Sequence, residues 1–67
     1  MTADEKAMAA RLAVLRTEHR DLDDAIEALR AAAAPDQLQI ARLKKRKLRL
    51  RDEIVMLGDQ LVPDIIA

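Results

Sequence analysis

His19 is the only imidazole in the sequence, and Asp23 stands four residues after it. An imidazole beside a carboxylate can do general acid–base chemistry. It needs a nucleophile, a second positioned acid or a cleft to act on anything, and no such partner accompanies it here. The sequence has no Gly-rich phosphate loop and no metal-ligand spacing, and without cysteine a lone histidine cannot build a zinc site. The residues therefore point to no catalytic group, no metal and no cofactor, and we expect no enzyme. The bland reading of His19 is preferred: a buried imidazole hydrogen-bonded to a neighbour such as Asp23.

A second kind of chemistry is phosphate recognition. From Arg42 to Arg51, seven of ten residues are cations: Arg42, Lys44, Lys45, Arg46, Lys47, Arg49 and Arg51. Clustered cations are the electrostatic footprint of nucleic-acid binding. Against that reading stand a formal net charge of zero, the absence of aromatic residues for base stacking, and an acidic block elsewhere in the chain. Glu18, Asp21, Asp23, Asp24 and Glu27 supply that block, with Arg20 its single cation. Charge neutralised within the chain is the favoured reading, leaving Lys45 and Arg49 as the exposed basic face.

The elements that must carry these residues are helices. Half the composition is apolar, most residues are strong helix formers, and only one glycine is present. Met8, Leu12, Leu15, His19, Leu22, Ile26 and Leu29 recur at alternating spacings of four and three. Ile40, Leu43, Lys47, Leu50, Ile54, Leu57 and Leu61 do the same after a break at Pro35. Each set lies along one helix face. The spacing predicts one domain over 1–67: a helix over about 4–33 capped by Thr2 or Asp4, a turn over about 34–36, and a second helix over about 36–62. The second helix starts at Pro35 or with Asp36 as N-cap, Gly58 is a candidate C-cap, and a short tail follows. A break this short makes the helices antiparallel neighbours. Leu29 then pairs with Ile40, Leu22 with Lys47, His19 with Leu50 and Leu15 with Ile54, and the acidic block lies beside the basic one. The fold class is all-α, a coiled-coil-like antiparallel hairpin.

Chains of this length rarely close a sufficient core alone. A second apolar stripe on the second helix, Ala41, Leu48, Val55 and Val62, predicts self-association of two hairpins into a four-helix bundle. His19 and Lys47 are polar residues in an otherwise apolar seam. Such residues can fix register and oligomeric state; for Lys47 taken alone the preferred description is that its methylenes lie on Leu22 and its ammonium is held in water. No apolar run approaches the roughly 18 residues a membrane helix needs, and the N-terminal residues do not read as a signal peptide. A cytoplasmic location without membrane association is the expectation.

The segments Glu18–Leu29 (E-H-R-D-L-D-D-A-I-E-A-L) and Leu43–Ile54 (L-K-K-R-K-L-R-L-R-D-E-I) resemble the YdcH-like family of small bacterial proteins. The resemblance spans about Leu15 to Leu57. Its recurring marks fall on His19 and on Leu43, Lys44, Lys47, Leu48, Leu50, Arg51, Asp52, Glu53 and Ile54, with Arg51 where lysine is common. It implies a helical hairpin and no known activity. A protein-interaction or self-assembly module is therefore the expected role, with weak nucleic-acid binding as the alternative.

Overall fold

In the computed structural model, which describes residues 2–61, α1 spans Ala3–Arg30 and α2 spans Gln37–Leu61. Thr2 rather than Asp4 caps α1. The Thr2 hydroxyl accepts the Glu5 N–H at 3.1 Å, and the Glu5 carboxylate accepts the Thr2 N–H at 2.9 Å. The two bonds satisfy orphan donors reciprocally, and Asp4 and Glu5 place negative charge at the positive end of the helix dipole. Accepting the Thr2 backbone N–H, and secondarily the Thr2 side chain, holds the Glu5 carboxyl below its ordinary range.

α1 stops at Arg30, and Ala31–Ala34 lie outside it. Ala31 donates to the carbonyls of Glu27 and Leu29, and Ala32 donates to Leu29 at 3.3 Å. Alanine has no bulk to place against a second helix, so little is lost by releasing this run to the reversal. Asp36 then caps α2: its carboxylate accepts the Gln39 N–H at 3.0 Å, and its carbonyl accepts the Ile40 N–H at 3.0 Å. Pro35 precedes the cap, where its missing N–H costs no helix bond. Gly58 is not a C-cap. It lies inside α2, which continues to Leu61, and a Cβ placed there would meet nothing within 4 Å. Val62, Pro63 and the expected tail lie outside the described residues.

Packing follows the two seams. Leu12, Leu15, Ile26, Ile40 and Leu50 form the buried core, and every one is a seam residue. The remaining seam positions, His19 and Lys47 included, are half-buried and none is exposed. Asp23 meets Lys47, whereas Arg11, a dozen residues earlier on α1, meets Glu53, six residues later on α2. Rising numbers on one helix face falling numbers on the other, so the pair is antiparallel. The shape measures 49 × 24 × 15 Å. Its shortest dimension is close to one helix diameter of ~10–12 Å. Hence the hairpin is a single layer with two broad open faces.

Candidate interaction surface

The polar residues of the seam meet at one point. Lys47, at a side-chain exposure of 34%, donates its ammonium to the Asp23 carboxylate across the helix pair. The ammonium expected to sit in water thus also has a carboxylate partner on the other helix, and both side chains stay partly exposed. His19 Nδ1 lies 3.9 Å from the other Asp23 oxygen, beyond hydrogen-bond length, and its side chain is 27% exposed. The expectation of a buried, hydrogen-bonded imidazole is corrected. The thin hairpin leaves one side of the seam open at this layer, and Asp23 is already engaged by Lys47.

The hydrogen bond from Lys47, with the Lys47 and His19 charges adding to it, holds the Asp23 carboxyl below its ordinary value. A lowered folded-state value means that this contribution is fully present above the ordinary carboxylate range and is lost as pH falls through the folded value. Melting followed by circular dichroism should show wild type above Asp23→Asn at neutral pH, with the two converging below about pH 4. A gap that persists unchanged to pH 2 would contradict the assignment.

Charge matching between the helices is narrower than the blocks suggest. Asp23–Lys47 is the one ion pair between the acidic and basic blocks among the described residues. Glu27 pairs along its own helix with Arg30 at 3.4 Å. Arg42, Lys44, Lys45, Arg46, Arg49 and Arg51 have no carboxylate within 4 Å among the described residues. The expected neutralisation of the basic run is thus corrected to a single contact. Most of these side chains leave α2 at angles that do not point at α1. The second inter-helix pair, Arg11–Glu53 at 3.8 Å, has the opposite polarity and lies outside both blocks, where block counting could not find it.

The two broad faces differ in character. On one, Glu18, Asp21, Leu22, Arg46 and Leu50 line a shallow groove of about 190 Å³ between the helices. Arg11 and Glu53 continue that side by helical spacing, as do Val14 and Met56, exposed by 49% and 54%. On the other, Leu48 and Val55 stand out at 53% and 52%, one heptad apart. Arg16, Arg20, Lys44 and Arg51 surround them by the same spacing rule. Lys45 and Arg49 are exposed. Val62, the third residue expected in the apolar stripe, lies outside the described residues. Leu38, at 63% the most exposed large apolar side chain among the described residues, lies in the first turn of α2. Val14, Leu38 and Met56 were not singled out by periodicity because each falls off both the seam and the Leu48 stripe.

No group of three or more His, Cys, Asp or Glu side chains is placed to hold a metal ion among the described residues. No described helix is long and apolar enough to cross a membrane.

Comparison with known proteins returns a domain family and little else. The family described as Protein of unknown function (DUF465), which includes the YdcH-like proteins, matches residues 12–57. No curated protein and no solved structure matches significantly. The matched segment begins and ends on seam residues, Leu12 and Leu57, and contains the reversal, the Asp23–Lys47 contact and the whole basic run. The hairpin described above is therefore a member of the DUF465 family, whose function is unknown.

Proposed function

We propose that this chain is a non-enzymatic interaction module, acting through self-assembly or through contact with another protein, in the cytoplasm. The observation that carries this reading is the surface left uncovered. The chain exposes 5325 Å², whereas a compact monomer of its mass exposes roughly 4,200 Å². The excess, on the order of 1,000 Å², is comparable to the roughly 800 Å² that one partner contributes to a standard interface. Exposed Leu48 and Val55 supply an apolar docking stripe on α2 of the kind such interfaces cover.

Size-exclusion chromatography with light scattering tests the self-assembly arm. The expected mass is twice the 7.5 kDa chain or more at high micromolar concentration. A monomer mass at every concentration would remove it.

A second reading is favoured by the cations of α2 that lack carboxylate partners among the described residues: sequence-nonspecific nucleic-acid binding through Lys45, Arg49 and their neighbours. A gel shift with generic duplex DNA or RNA that weakens with salt would support it. We expect none at physiological salt, because the formal net charge of the chain is zero and supplies no long-range attraction for a polyanion.

A further inference from the structure

We propose that the self-contact of this chain uses the face bearing Val14 and Met56, with α1 of each copy lying antiparallel on α2 of the other. The proposal rests on the self-assembly reading and names the surface. The Leu48–Val55 stripe is then left for a different partner.

Charge decides between the two faces. Around Leu48 and Val55 the side chains without an ion-pair partner among the described residues are Arg16, Arg20, Lys44 and Arg51, because Asp23 and Glu27 are taken by Lys47 and Arg30. Two such faces brought together oppose like charges, which disfavours the contact. The opposite face is neutral and segregated. Its α1 edge carries Arg11, Val14, Glu18 and Asp21 at spacings of three and four, and its α2 edge carries Arg46, Arg49, Glu53 and Met56 at the same spacings.

A two-fold axis parallel to the helices lays each α1 edge on the partner copy's α2 edge. Antiparallel register then follows by counting. Asp21 lies between Arg46 and Arg49, Glu18 lies beside Arg49, and Val14 lies beside Met56, each within about two residues, ~3 Å, of the height set by the hairpin's own register. The groove lined by Leu22 and Leu50 lies at the centre of this face. Val14 and Met56 of both copies form a small apolar cluster toward one end. Each α1 edge is acidic where each α2 edge is basic, so the surface is self-complementary, as an isologous contact requires.

Charge reversal tests this. One variant carries Glu18→Arg with Asp21→Arg, and a second carries Arg46→Glu with Arg49→Glu. Sedimentation velocity and native mass spectrometry should show each variant alone with self-affinity weakened ~100-fold. An equimolar mixture should recover a 1:1 heterodimer, since every reversed edge then meets its complement. Circular dichroism checks that each variant keeps its helices. Should charge reversal unfold a chain, Val14→Ser with Met56→Ser supplies the test, since both side chains are exposed in the single hairpin. That variant is expected to stay helical and to weaken self-association at least ~10-fold.

Two results overturn the proposal and are distinguishable. If these variants associate as tightly as wild type while Leu48→Asp with Val55→Asp yields monomers, self-assembly stands and the face is wrong. A wild-type chain that is monomeric at high micromolar concentration removes both the face and the self-assembly reading.

Discussion

Truncating Leu15 to alanine is expected to cost about 2–5 kcal/mol and to abolish most of the helical signal at 25 °C. Leu15 has no accessible surface, and among the described residues it is the one fully buried large side chain in a core of five. Removing it deletes transfer free energy and leaves a cavity that two packed helices can close only by sliding. A chain of this size has a stability of a few kcal/mol, so the loss is comparable to the whole. Leu38→Ala removes the same atoms from a site 63% exposed. It should change stability by no more than about 0.5 kcal/mol. Thermal melts by circular dichroism separate the two, at roughly 4–8 °C per kcal/mol for a domain of this size. Equal shifts for the two variants would mean that Leu15 is not at the centre of the core.

The opposite sign is expected for the polar residues of the seam. Replacing His19 and Lys47 together with leucine should raise the melting temperature by about 10 °C, on the order of 2 kcal/mol. Both positions are half-buried at a layer where every neighbour along the seam is apolar. The Asp23–Lys47 bond lost in the exchange is worth little, because both side chains retain access to water, at 34% and 47% exposure. Asp23 becomes an ordinary solvated carboxylate. The hypothesis attached to these residues is that they hold register at the expense of stability. It requires the stabilised variant to lose uniqueness, seen as a changed oligomeric state or as exchange of helix partners between chains. A higher melting temperature with the same oligomer and no exchange would leave His19 and Lys47 without that role.

The fold was legible because it depends on a single repeated decision. Seam residues alternate three and four apart on both helices, and the break at Pro35–Asp36 is chemically marked. Burial of Leu12, Leu15, Ile26, Ile40 and Leu50 follows from that alone. Helix ends were less legible, since they turn on individual hydrogen bonds. Thr2 prevails over Asp4 because Glu5 is placed to return its bond. Gly58 stays helical because nothing at that position demands a left-handed residue.

The surface was the least legible part. Blocks of opposite charge along the sequence suggested a neutralised interface. A helix, however, turns 100° per residue, so only side chains bordering the seam can cross it. Asp23 and Lys47 border it, whereas Lys45 and Arg49 do not. Exposed Val14 and Met56 belong to no repeat that a single helix displays. They become a feature only when the two helices are laid side by side.

The most direct test is one distance measured within one chain. Spin labels at Lys6→Cys and Gln60→Cys, in a large excess of unlabelled protein, report whether the free ends of α1 and α2 lie side by side. Neighbouring helix axes are ~8–10 Å apart, so a short separation of about 10–20 Å between labels is expected, independent of dilution. A continuous rod through Pro35 would put the labels roughly 80 Å apart. That separation, or a short distance that vanishes on dilution with unlabelled chain, would contradict a hairpin closed within one subunit.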